Sequence, residues 1–217
     1  MIIVLGGIKG GCGKTTLATN LAVLRAFEGQ KVLLVDADEQ RSTSDWAEHR
    51  ESLGIDTPWT TIQLTGSSVR TQILKMRNDY DDIIVDTGGR DTTSQRAALT
   101  VADVFLAPFQ PRSLDVWTIG KVSALLAEIR TVNPDLTAYA VINRADPQGR
   151  DNEDAGEIIR ETEGISCLPA IIGQRKAFAN AASEGLGVIE LKLQDKKAVA
   201  EIRHLNDTIF NTEMAVK

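Results

Sequence analysis

Met1-Ile2-Ile3-Val4-Leu5-Gly6-Gly7-Ile8-Lys9-Gly10-Gly11-Cys12-Gly13-Lys14-Thr15-Thr16-Leu17 opens the chain and decides its fold. The residues Ile2 to Leu5 run without polar alternation, as a parallel strand covered on both faces does. A glycine-rich loop follows. From Leu17 the apolar residues Leu17, Leu21, Leu24 and Phe27 recur at helical spacing, and Gly29 stands as a C-terminal cap. Strand, glycine loop and helix in that order make a cradle for phosphate. Glycines let successive backbone N–H groups curl around anionic oxygens, and the helix N-terminus adds partial positive charge. Lys14 supplies a mobile cation for the outer phosphates, and the Thr15 hydroxyl completes part of an octahedral magnesium shell. The loop residues Lys9, Gly10, Gly11, Cys12, Gly13, Lys14, Thr15 and Thr16 are thus the candidates for holding Mg-ATP, with no side-chain chemistry assigned to Cys12.

Outward from this unit, short apolar runs recur at Val32 to Val35, Ile83 to Val85, Val104 to Ala107, Ala138 to Ile142 and Ile165 to Ile172. Between them lie amphipathic stretches, among them Val116, Ile119, Val122, Leu125, Leu126 and Ile129, closed by Asn133-Pro134. Strand then helix, repeated, implies an α/β fold: a doubly wound, mostly parallel sheet with helices on both faces, of the P-loop NTPase type. Gly54 to Gly66 reads as an edge strand between loops, and Gln194 to Phe210 as a packing helix with Val199, Ile202, Leu205 and Ile209 on one face. No repeat or linker divides the 217 residues, so a single domain over 1–217 is expected.

The opening apolar run is too short for a signal peptide, and no run elsewhere approaches the roughly 20 residues of a spanning helix. Two isolated cysteines, Cys12 and Cys167, cannot build a disulfide framework, which points to a reducing cytoplasm. A net charge of −6 argues against a surface that is basic all round, so nucleic-acid binding needs a local patch.

Two strands end in acids. Val32 to Val35 leads to Asp36-Ala37-Asp38, whose carboxylates point the same way in an extended chain. Ile83 to Val85 leads to Asp86-Thr87-Gly88-Gly89-Arg90. Acids at the carboxyl ends of such strands face the nucleotide crevice, where they hold magnesium waters or orient an attacking water. Asp86 is expected to bind magnesium through water, with Gly88 and Gly89 giving a loop able to follow the γ-phosphate. The alternative for Asp36 and Asp38 is capping of the helix that begins near Ser42. Asp81 and Asp82, ahead of the strand, read as solvated acids. Val141-Ile142-Asn143-Arg144 ends another strand at the crevice, where Asn143 either pairs with an adenine edge or closes a turn, with Arg144 beside it.

The loop departs from the ordinary phosphate-loop pattern: Ile8 stands where glycine belongs, and a second lysine, Lys9, follows it. This K-G-G-x-G-K-T-T run resembles the deviant Walker A box of the ParA/MinD family of dimerising ATPases. The resemblance implies that Lys9 reaches across a two-fold interface to the partner's ATP, that Asp38 orients or activates the hydrolytic water, and that Asp36 supports the magnesium shell. Asp36, Asp38 and Gln40 meet the family's D-x-D-P-Q, with Glu39 in place of proline. Pro108 to Trp117 is similar to the P-x-Q-P-S-x-x-D-x-W of small ParA proteins, which offers Asp115 either to the dimer and switch surface or to a helix start. Gln174 to Val188 is similar to a further family stretch. The chain looks like the short ParA type without an N-terminal helix-turn-helix. The implied partners are a second copy on ATP binding, non-specific nucleoid DNA and a ParB-like adaptor, with no membrane. From Ile171 to Arg203 six basic residues face four acids, a net of +2, while the rest of the chain carries −8. Two alternatives stand beside this: a MinD-like membrane ATPase, for which Phe210 to Lys217 offers neither the charge nor the apolar face, and a metabolic or metal-cluster relative, for which Cys167 is the lone thiol outside the loop and reads as core.

Overall fold

The computed structural model describes residues 1–111, 118–148 and 150–210. Asp115, with the helix start offered there, and the tail beyond Phe210 lie outside these described residues. Among the described residues seven strands, β1 (Ile2–Leu5), β2 (Val32–Ala37), β3 (Thr60–Gln63), β4 (Asp82–Thr87), β5 (Val104–Phe109), β6 (Thr137–Ala145) and β7 (Ser166–Gly173), form one sheet in the order β3-β2-β4-β1-β5-β6-β7. Every pairing is parallel. The strand that feeds the glycine loop therefore sits at the centre, flanked by β4 and β5.

Alternate residues of the central strands enter two separate cores, because successive side chains of a strand point to opposite faces. Ile3 and Leu5 join the core built on α1 (Lys14–Phe27), α2 (Ser42–Ser52), α7 (Lys176–Ser183) and α8 (Lys196–Phe210). Ile2 and Val4 join the core built on α3 (Ser68–Met76), α4 (Thr93–Leu99), α5 (Ile119–Ile129) and α6 (Asp151–Glu161). Strands β1, β2, β4 and β5 are buried throughout, which is why they read as unbroken apolar runs. At one edge β7 departs from that expectation. Leu168, Ala170 and Ile172 are buried while Ile171 is 44% exposed, so this strand is covered on one face. Ile202, Leu205 and Ile209 of α8 cover it, as their spacing predicts, while Val199 is half-buried.

Helix α1 ends as its sequence requires. Gly29 has φ 86°, its N–H donates to Ala26 O, and the N–H of Gln30 donates to Arg25 O, a left-handed glycine closure of the last turn. Asp82 corrects the reading of it as a solvated acid. It is buried in β4, where Arg25 Nε donates to its Oδ2 at 2.7 Å and the N-terminal ammonium stands 3.7 Å from Oδ1. A carboxylate placed under α1 is retained because cations from two elements reach it.

Candidate nucleotide-binding site

The loop between β1 and α1 is shaped by glycines at positions other residues cannot occupy. Gly11 and Gly13 have φ 79° and 94°, and a Cβ on Gly13 would lie 2.2 Å from Asn143 Nδ2. From the end of β6 that amide donates to Cys12 O at 2.6 Å. Asn143, proposed from sequence to read a base, thus has its amide nitrogen turned to the loop's own backbone. Arg144, next along β6, is exposed with φ 55°. Gln110 Nε2 donates to Gly11 O from the end of β5, so the loop is braced from both strands on that side. Beneath it, Gln95 of α4 accepts from Gly7 N at 2.9 Å and pairs with Thr87 Oγ1 at 3.0 Å. Lys14 is buried and arches over the loop, donating from Nζ to Lys9 O at 3.1 Å. Thr16 lies in the first turn of α1 and accepts at its carbonyl from Asn20, and Lys9 is exposed.

The two acid-ended strands lie side by side, with Asp36 and Asp86 in register. Asp86 Oδ2 accepts from Thr15 Oγ1 at 2.6 Å and from Thr43 Oγ1 at 2.7 Å. Its other oxygen, Oδ1, is buried without a hydrogen-bond partner. Burial pushes the Asp86 carboxyl up to about 6 from the ordinary 3.8, and the Asp36 charge adds to this, while the two hydroxyls and Lys14 oppose it. Asp36 is fully buried and closes the first turn of α2. Its Oδ2 accepts from Ser44 N at 2.7 Å and Ser44 Oγ at 2.8 Å, and its Oδ1 accepts from Asp38 N at 3.1 Å. The helix-capping alternative for this acid is therefore realised, with both of its oxygens occupied by protein donors.

These residues fit a magnesium ion. Among the described residues no group of three or more His, Cys, Asp or Glu side chains is placed to hold a metal. Mg²⁺ does not need such a cage, because it keeps several waters and takes few protein ligands. Thr15 offers a hydroxyl oxygen, and the orphaned Asp86 Oδ1 offers a buried acceptor for a metal-bound water. An anionic oxygen left unpaired at that depth is otherwise costly.

Towards solvent the architecture changes. A cleft of about 360 Å³ is lined by Gly10, Asp38, Gly88, Gly89, Arg90 and neighbouring residues. A Cβ on Gly89 would lie 2.5 Å from Gly10 N, and one on Gly88 would lie 3.0 Å from Asp38 Oδ1. The turn after β4 is thus packed directly on the phosphate loop and on Asp38, an approach that only glycine permits. Asp38 is half-buried and accepts from Gln40 N at 3.1 Å, which leaves its carboxylate at the cleft wall.

A family model described as the CobQ/CobB/MinD/ParA nucleotide binding domain matches residues 3–188. The chain belongs to that family. Among its ParA/MinD relatives, it is 34% identical over 216 residues to the maintenance of carboxysome distribution protein A of Gloeobacter kilaueensis, covering 96% of this chain and 93% of that protein. It is 29% identical over 206 residues to protein ParA of Rhizobium radiobacter, covering 94% and 91%. The structure of the septum site-determining protein MinD of Pyrococcus horikoshii, complexed with Mg-ADP, shares the fold with a TM-score of 0.76 at 19% identity over 98% of this chain and 97% of that one. The expected α/β P-loop fold is therefore the observed one, and the family is one of nucleotide-binding ATPases.

Sequence reasoning missed Thr43, Ser44 and Gln95. The run Ser42-Thr43-Ser44 just after the acid pair is a signal that could have found the first two, since hydroxyls beside strand-end carboxylates are natural donors. No helix of the described residues is long and apolar enough to cross a membrane.

Proposed function

We propose that this chain is a single-domain, ATP-hydrolysing switch that dimerises on Mg-ATP, holds DNA without sequence preference in that state, and positions a cargo through a ParB-like adaptor. The observation that carries the reading is the shared cleft, where Asp38, the Gly88–Gly89 turn and the Lys9–Gly10 backbone meet beside the Lys14 and Thr15 cradle. ATP is the substrate, its phosphates on the loop amides and Lys14. Magnesium, when bound, spreads the charge of the outer phosphate oxygens as a Lewis acid. Thr15 and Asp86 hold it, Asp86 through water, and Asp36 supports the shell by fixing the Asp38 amide and the start of α2. Asp38 orients the attacking water, and Asn143 presents Oδ1 to the base with Arg144 beside it. Lys9 crosses to the partner's phosphates, which ties dimerisation to the triphosphate state.

The DNA surface is assigned to the basic stretch near the C-terminus. Lys176, Lys192, Lys196, Lys197 and Arg203 are exposed, whereas Arg175 is held by Glu201. Phosphate contacts of this kind add up and weaken with salt. The relatives named for carboxysome distribution and for ParA support a cargo-positioning role, on a plasmid, a chromosome region or a protein-built body, in the nucleoid-bearing cytoplasm. The test is duplex DNA binding by Asp38→Ala with no nucleotide, with ADP and with ATP. Binding with ATP alone, weakening as salt rises, is the expected result; no binding at low salt in any state removes the DNA surface from the account.

A further inference from the structure

Thr43 is a buried hydroxyl on α2 that none of the assigned roles uses, although it touches the acid assigned to the metal. Helix α2 meets the two strand-end carboxylates with consecutive residues: Thr43 Oγ1 donates to Asp86 Oδ2 at 2.7 Å, and Ser44 donates through N and Oγ to Asp36 Oδ2. Thr43 is completely buried, as is the Asp86 oxygen without a partner. We propose that Thr43 is the positioning residue of the magnesium site, fixing Asp86 from outside the phosphate loop so that Oδ1 presents to the metal-bound water; this rests on the Mg-ATP reading above.

The physical reason lies in the carboxylate rotor. The terminal torsion of an aspartate is broad and two-fold, so the carboxyl group needs external donors to hold one oxygen in one direction. Asp86 has two, both on Oδ2, and they differ in kind. Thr15 stands in the first turn of α1, directly behind the loop that receives phosphate, and its oxygen is the one offered to the cation. Thr43 belongs to α2, which is anchored independently: Arg50, near its far end, donates to both oxygens of Glu190 at 2.8 Å and to Gly185 O at 3.0 Å. Thr43 therefore holds Asp86 from a helix anchored apart from the phosphate loop. The same helix follows directly from Asp38 and Gln40, whose backbone turns into it through Arg41 N donating to Asp38 O at 3.1 Å.

The experiment titrates a fluorescent, non-hydrolysable ATP analogue, first in EDTA and then against MgCl₂, on wild type, Thr43→Val, Thr43→Ala and Thr43→Ser. Groups that orient a metal ligand typically contribute about 10-fold to 100-fold in metal affinity. The expected result is unchanged analogue affinity in EDTA for all four proteins. The half-saturating Mg²⁺ concentration rises at least about 10-fold in Thr43→Val and Thr43→Ala and returns to near wild type in Thr43→Ser. A packing role alone would shift the EDTA affinity or the melting temperature without moving the magnesium midpoint. Two valine and alanine variants keep the readout if one fails to fold. Wild-type magnesium midpoints in both folded variants overturn the proposal while leaving the Mg-ATP reading intact, provided Asp86→Asn shifts the midpoint. If wild type itself gains nothing from magnesium, the Mg-ATP reading falls and Thr43 with it.

Discussion

The crevice has a rear wall and a mouth, and they are built on opposite principles. At the rear, Asp36, Asp86, Thr43 and Ser44 are buried and joined by short hydrogen bonds, so their geometry is set before any ligand arrives. At the mouth, Asp38 is half-buried, Lys9, Gly10 and Arg90 are exposed, and glycines replace side chains wherever the β4 turn meets the phosphate loop. A preorganised rear holds charge where it costs no reorganisation, while an open mouth built of glycine backbone can close on a phosphate or on a second copy. On the proposed reading, binding and switching fall to different residues of one crevice, and each half can be broken separately.

The largest expected effect comes from breaking the anchor behind the rear wall. Arg50 is 1% exposed and paired with Glu190. Arg50→Met leaves the largely buried Glu190 without its cationic partner and lowers unfolding stability by about 3–5 kcal/mol in urea melts, because an uncompensated charge away from water is costly. Full stability in that variant would contradict the anchored-helix picture. At the mouth, Asp38→Ala keeps ATP binding and loses hydrolysis by roughly 1,000-fold, the scale of a positioned acid–base group; phosphate release assays read this, and unchanged turnover removes Asp38 from catalysis. Lys14→Ala, at the junction of the two halves, weakens nucleotide binding by on the order of 100-fold, measured by equilibrium titration.

The smallest effect sharpens the rear wall alone. Because the Asp86 carboxyl is pushed up to about 6 from 3.8, folding favours its protonated form. The destabilisation is absent below about pH 4, grows between pH 4 and 6, and is complete above pH 6, where the ionised form is buried. Without magnesium or nucleotide, the stability of wild type relative to Asp86→Asn therefore falls by roughly 2–3 kcal/mol between pH 4 and 7 in denaturant unfolding. A difference that stays flat with pH would show that Asp86 is not strained by burial.

What the sequence made legible follows the same division of labour between local and distant contacts. The phosphate loop, the Asp36 and Asp86 strand ends and the glycine closure of α1 are local: residue type, neighbours and element order state the chemistry together. The supports of the rear wall are not. Thr43 meets Asp86 across 43 positions, Gln95 meets Gly7 across 88 and Arg50 meets Glu190 across 140, and no local period announces such pairs. Asp82 misled for a related reason. Two adjacent acids before a strand look solvated, yet Arg25 on α1, 57 positions away, draws the second one under the helix. Asn143 was visible as a crevice residue, but its contact with Cys12 depends on how β6 lies against the loop.

The central claim is that the mouth closes on a second copy through Lys9 when ATP is bound. Sedimentation of Asp38→Ala with Mg-ATP, compared with the Lys9→Ala/Asp38→Ala double variant, tests it most directly. The account predicts an ATP-dependent dimer for the single variant, a monomer for the double variant, and nucleotide binding retained by both. A dimer that forms equally well without Lys9, or no dimer with ATP in either protein, would contradict it.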